Sequence, residues 1–332
     1  MNKKRWWALA IFTVLLVVWA VSSTKVKQIE STGTSSYLSY LNRIENKQSW
    51  TTQIYREGKG KILALVKLEG EITETPANSP TVSSGYNHQV FLKQLEAAFS
   101  REDIKGVIMQ VNSPGGGVYE SDEIYNRILE LKAKYKKPLV VYMSQEAASG
   151  GYYVSMAADK IYANRNTLTG SIGVIIRTYN YQELADKIGV KDVTFKSGAQ
   201  KDLLNPMRPL NDQEKAIAQS LVNESYGYFV DIVAKGRKMD RNQVLQLADG
   251  RVYSGTQAKN LGLVDELGNL DQAISGTAEL ANITDPQVLL FENPGPDLLS
   301  WFTSMNAPAF DLLGLKQQVD QALSPQIMYI AN

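Results

Sequence analysis

Ser144-Gln145-Glu146-Ala147-Ala148-Ser149-Gly150-Gly151-Tyr152-Tyr153 is the stretch around which the chain is organised. The apolar run before it, Pro138 to Met143, reads as a buried strand, and Tyr152 to Ala158 reads as the start of a helix. Ser149 therefore stands at a strand-to-helix turn among Ala147, Ala148, Gly150 and Gly151. Small neighbours let another backbone come close, and the first N–H groups of a helix have no partner inside it. A serine in such a turn can be a plain helix cap or an exposed nucleophile. The spacing Ala147-x-Ser149-x-Gly151 matches a Gly-x-Ser-x-Gly nucleophile elbow with Ala in the first place.

Composition narrows the chemistry. The 332 residues suffice for one large domain or two moderate ones. Thirty-five basic residues balance 34 acidic ones, so no broad basic field points to nucleic acid. With no Cys, disulfides, thiolate nucleophiles and Cys-based metal sites are excluded. The single His, His88, rules out a His-rich metal site, and it falls in the first turn of an expected helix over 88–100.

Met1 to Arg5 is basic, and an apolar run follows from Trp6 to about Val21. Those sixteen residues rise roughly 24 Å as a helix, a little short of a bilayer core. Trp6, Trp7 and Trp19 suit an interface, and Lys3, Lys4 and Arg5 set the start of the chain in the cytoplasm. The expectation is a retained single-pass anchor over 1–24 in the cell membrane with the remainder outside the cytoplasm. A cleaved signal peptide, with Ala20-Val21-Ser22 as the cut, is the other reading. Residues 25–60 read as a polar stalk, 61–293 as the working domain and 294–332 as a tail that docks on it.

Within 61–293, strands are expected at Ile62–Leu68, Gly106–Val111, Pro138–Met143 and Lys160–Ala163, with helices between them. This repeated β-α-β alternation implies right-handed crossovers and a largely parallel sheet. Chemistry in such folds collects at the carboxyl ends of the strands. Gly115-Gly116-Gly117 follows one such end, and no Gly-Lys-Ser/Thr completes a phosphate loop. A backbone stripped of side chains there suits the close approach of another chain or of an oxyanion. Val193 to Asp202 reads as a strand running into a loop, Asn211 to Lys235 as a long helix, and Val288 to Phe291 as a late strand.

A serine nucleophile needs a base. Without Cys, and with His88 badly placed, lysine remains. A free lysine, with a pKa of about 10.4, is neutral in only about one molecule in 2,500 at pH 7. Bringing it to neutrality costs roughly 4 kcal/mol of disfavoured charge, which apolar burial with hydroxyl partners can supply. Lys196 and Lys201 are the candidates, and Asp202 counts against Lys201 unless it points away.

Five motifs together resemble the signal peptide peptidase A family of serine peptidases. They are Asn112-Ser113-Pro114-Gly115-Gly116-Gly117, Ala147-Ala148-Ser149-Gly150-Gly151-Tyr152-Tyr153, Ala157-Ala158-Asp159-Lys160-Ile161, Thr169-Gly170-Ser171-Ile172-Gly173-Val174 and Lys196-Ser197-Gly198-Ala199-Gln200-Lys201-Asp202. The resemblance spans roughly 61–267 and suits the short, membrane-anchored bacterial form. It implies an α/β fold of the Clp-protease/crotonase kind. It matches Ser149 to the nucleophile, Lys201 to the general base, Ser171 to a hydroxyl that orients the lysine, and Gly116 and Gly150 to the oxyanion hole. It implies neither cofactor nor metal, a homo-oligomeric ring of eight units in which neighbours share each dyad, and peptide substrates such as signal-peptide remnants at the membrane. Two other readings keep the sequence: a crotonase-like acyl-CoA enzyme, and a scaffold in which Ser149 only caps a helix.

Overall fold

The computed structural model describes residues 50–74, 86–292 and, as backbone, 327–330. The chain divides into residues 1–49 and 50–332, and all described residues belong to the second unit. The expected anchor and most of the expected stalk therefore lie outside the described residues. Among those described, no helix is long and apolar enough to cross a membrane.

The strands are β1 (Thr51–Arg56), β2 (Ile62–Glu69), β3 (Ile104–Ser113), β4 (Gly115–Gly117), β5 (Leu139–Ala148), β6 (Lys160–Ala163), β7 (Leu168–Gly170), β8 (Ile175–Ile176), β9 (Val252–Ser254), β10 (Glu266–Leu267), β11 (Gln287–Glu292) and β12 (Ile327–Ile330). The helices are α1 (His88–Ser100), α2 (Val118–Tyr135), α3 (Gly150–Ser155), α4 (Gln182–Ile188), α5 (Asp212–Arg237), α6 (Arg241–Leu247), α7 (Gly255–Asn260) and α8 (Leu270–Leu280). The main sheet runs β1-β11-β2-β3-β5-β6-β10, parallel from β11 to β10, with β1 antiparallel at its edge.

Leu63, Ala64, Leu65 and Val66 are all fully buried. A strand covered on both faces needs such an unbroken apolar run. Ala64, Val66, Val107, Met109 and Val141 enter one core with Phe91 and Leu95 of α1, Ile124 of α2, Tyr153 of α3 and Phe229 of α5. Leu63, Leu65 and Ile108 enter a second core with Ile274 and Ala278 of α8. The result is an α/β sandwich with helices on both faces of the sheet.

Strand β5 is the pivot. Val140–Met143 pair with β6, whereas Glu146–Ala148 pair with β7, so β5 runs on past its first neighbour. Ser149 stands at the end of that extension.

Two stretches differ from the sequence reading. Residues 51–56, the end of the expected stalk, form β1 and pair with β11. Residues 193–202 form no strand. Val193 is 73% exposed and Phe195 95% exposed. Their alternation mimics a strand, but they pair with no described strand of this chain.

Candidate active site

Ser149 has φ 52° and ψ −116°, a backbone conformation that L-residues avoid. Holding it costs about 1–3 kcal/mol, offset by the surroundings. Its N–H donates to the Gly170 carbonyl at 2.8 Å, and its carbonyl accepts from Tyr153 N–H at 2.8 Å. Behind the turn, Tyr152 Oη donates to the Leu263 carbonyl and Tyr153 Oη donates to Asp122 Oδ1 at 2.6 Å. The serine is fully buried, and its hydroxyl makes no hydrogen bond among the described residues. A polar atom in that state costs about 1–3 kcal/mol, so packing alone does not account for it. The elbow expected from sequence is present, and Ser149 Oγ does not act as the cap of α3.

Gly115–Gly117 lies against this turn. A Cβ on Gly150 would sit 2.5 Å from Ser121 Oγ and 3.2 Å from Gly116 N, so only glycine lets the two backbones meet. A Cβ on Gly116 would overlap the carbonyl of Ile72. Ile72 N–H donates to the Gly115 carbonyl at 2.8 Å and Gly117 N–H to the Ile72 carbonyl at 2.7 Å. By strand alternation, the N–H of Gly116 then faces the opposite side. That side is occupied by β12, antiparallel to β4 with Tyr329 opposite Gly116, and antiparallel to β8 with Met328 opposite Ile175. The tail expected to dock thus enters at 327–330 as the middle strand of a second, three-stranded sheet. The sequence signal for it was only a short β-branched and aromatic run far from its partners.

Ser171 follows Gly170, whose carbonyl holds Ser149 N–H. Its φ is 49°, and its own N–H donates to the Arg251 carbonyl at 2.9 Å. Ser171 lines a cleft of about 490 Å³ together with Ile175, Val222, Tyr226 and Val252. Ser149, Gly150, Gly116 and Ser171 are therefore drawn together by the β5–β7 pairing and the glycine contact.

Lys201 is not drawn in. It is exposed on a turn, its N–H bonded to the Gly198 carbonyl at 3.1 Å, and its amine makes no hydrogen bond or ion pair among the described residues. Lys196 Nζ, the other candidate, donates to Asp202 Oδ1 at 2.6 Å and to the Ala199 carbonyl at 3.0 Å. Its donors are committed to a carboxylate and a carbonyl. Asp202 points to Lys196 and Arg208, which removes the objection to Lys201. The Arg208 guanidinium, followed by Lys196, holds the Asp202 carboxyl well below the usual range. Arg208 and the Asn211 backbone N–H hold the buried Glu214 down to about 2.

His88 is buried, with Nδ1 2.5 Å from Tyr86 Oη and Nε2 2.8 Å from Glu123 Oε2. Both ring nitrogens are engaged there, tying α1 to α2, so His88 is not bonded to Ser149. Among the described residues, no group of three His, Asp or Glu could hold a metal ion.

A buried alcohol beside closely packed backbone N–H groups can attack a carbonyl and cradle the resulting oxyanion. The family model and the related sequences agree with that chemistry. The model of Peptidase family S49 matches residues 131–284. A protein of Enterococcus faecium named "Putative signal peptide peptidase SppA" is 39% identical over 295 residues, which are 88% of this chain and 86% of that protein. "Serine protease SPPA, chloroplastic" of Arabidopsis thaliana is 33% identical over 72% of this chain and 36% of its own length. A mutant of ClpP1 from Listeria monocytogenes overlaps 63% of this chain and 94% of its own at a TM-score of 0.40 and 19% identity. The protein is a serine peptidase. It belongs to peptidase family S49, the signal peptide peptidase A family. The acyl-CoA and scaffold readings give way to that assignment.

Proposed function

We propose that the chain is an ATP-independent Ser/Lys endopeptidase whose dyad closes only between neighbouring copies. One observation carries this reading: among the described residues, the Ser149 hydroxyl is buried at a strained elbow with no partner, while the amine of Lys201 stands exposed with none. Lys201 of a neighbour, desolvated on docking and oriented by Ser171, takes the Ser149 proton. Ser149 Oγ adds to a peptide carbonyl, and the N–H groups of Gly116 and Gly150 hold the oxyanion. The lysine then protonates the leaving amine and activates the water that hydrolyses the acyl-enzyme.

The substrate lies as an extended strand. The seat of β12 between β4 and β8 supports this, because main-chain pairing on both sides suits peptides of varied sequence. Remnants of signal peptides, and misfolded secreted proteins, are the substrates that fit a peptidase held at the outer face of the cell membrane by residues 1–24. The related proteins named as signal peptide peptidases support the same reading. A homo-oligomeric ring of eight copies, and an architecture of the Clp-protease/crotonase kind, complete the proposal.

The test is complementation. Ser149→Ala and Lys201→Met chains are each inactive on a small peptide ester. Mixed and reassembled, they regain activity, because some interfaces pair an intact serine with an intact lysine. Two inactive variants that stay inactive on mixing, while still assembling, would refute the shared dyad.

A further inference from the structure

The turn carrying Lys201 is built around an arginine, Arg208. Arg208 Nε donates to Asp202 Oδ2 at 3.0 Å, and Nη2 donates to Asp202 Oδ1 at 2.9 Å and to the Asp202 carbonyl at 3.1 Å. Its Nη1 donates to Glu214 Oε2 at 2.8 Å and to the Pro209 carbonyl at 3.2 Å, and Nη2 also reaches Glu214 Oε1. Glu214 is fully buried and closes the capping box of α5, accepting from Asn211 N–H at 2.9 Å. Four charged residues, Lys196, Asp202, Arg208 and Glu214, thus join the loop around Lys201 to the start of the longest described helix.

Two consequences follow for the residue next to Asp202. The peptide after Asp202 is pinned, since the Asp202 carbonyl accepts from both Arg208 and Asn205 N–H, the latter at 3.0 Å. The Asp202 carboxylate is also matched by two cations, Lys196 and Arg208, and makes no ion pair with Lys201. Left loose, it would lie within reach of the amine one residue away and favour its charged form.

We propose that Arg208 is the positioning residue of the general base: it fixes the turn that presents Lys201 and keeps Asp202 from pairing with it. This rests on Lys201 being the base. The charged groups facing Asp202 are Lys196 and Arg208, with Glu214 behind Arg208. Asp192, held by Asn205 Nδ2 at 2.9 Å, is the remaining carboxylate bonded to this turn. Lysine cannot replace Arg208, because one ammonium cannot span two carboxylates and a carbonyl in the plane of a guanidinium.

The experiment is a pH–rate profile of kcat/KM on a peptide ester with the full chain. Arg208→Gln is expected to move the acid limb up by about one pH unit. Adding Asp202→Asn to Arg208→Gln should bring the limb back. Arg208→Lys should leave the limb near its place, since a cation still faces Asp202, yet lower kcat about tenfold through looser positioning. Because Arg208→Gln strips the buried Glu214 of its partner, Arg208→Gln with Glu214→Gln is measured beside it, and thermal melting establishes that each variant folds. A limb that stays put in folded Arg208→Gln variants while activity falls assigns Arg208 a structural role only and overturns the proposal. Activity that survives Lys201→Met overturns the reading beneath it instead, so the two failures are told apart.

Discussion

The two halves of the proposed dyad sit in opposite environments. Ser149 is sealed at the end of the extension of β5, gripped by β7, and pressed on Gly115–Gly117. Lys201 rides on a solvent-exposed arm of turns between α4 and α5, held mainly by ion pairs. The sheet makes the nucleophile rigid before anything binds. The arm stays presentable to another molecule, and it and the α4 helix before it show apolar side chains: Leu184 and Ile188 of α4, and Val193 and Phe195 of the arm, are all exposed. A single fold can therefore finish one partner of a reaction and leave the other for assembly.

The sharpest way to break this contrast is Ser149→Ala. Peptide hydrolysis should fall by at least about 10⁴-fold. Melting temperature should hold or rise slightly, because a buried hydroxyl without a partner is lost. A variant that retained substantial turnover would remove Ser149 from the chemistry. Next in size is Gly150→Ala, which forces a Cβ into Ser121 Oγ and the Gly116 amide. We expect kcat to drop about 10²-fold or more and stability to fall by about 1–3 kcal/mol. Normal kcat in that variant would mean the two glycines need not touch.

On the arm, Phe195→Asp should leave the fold of one chain within about 0.5 kcal/mol, since the ring is already in solvent. It should lower the assembled mass in sedimentation and lower activity with it. Unchanged mass and activity would show that this face meets nothing. The smallest effect is on acid. Glu214 is held at about 2 against an ordinary 4.5. Its folded value is depressed, so its contribution is complete well above 4.5 and drains away as pH falls toward 2. Limited proteolysis of the 196–208 arm should accelerate over that window, and Glu214→Gln should flatten the dependence.

Much of the serine half was legible in the sequence. Pro138 to Met143 was apolar throughout because both faces of β5 are covered, and the small residues around Ser149 mark a turn where backbones crowd. The lysine half was less so. Val193 and Phe195 alternate as a strand would, yet they are exposed and pair with nothing among the described residues. The Lys196–Asp202–Arg208–Glu214 network was invisible, since spacing by sixes follows neither helix nor strand period and exists only once the turns form. Strand β1 hid in a polar stretch because an edge strand needs no apolar run. Strand β12 hid because a four-residue segment is defined by its two distant neighbours rather than by itself.

That last strand has a bearing on measurement. Gly116 offers one amide to one visitor, and the chain already lays its own residues 327–330 across it. A peptide added from outside competes with an opponent whose local concentration never dilutes. Shortening the protein ahead of Ile327 should thus lower KM more than it alters kcat, and a full-length enzyme assayed as isolated would look more sluggish than its catalytic groups deserve.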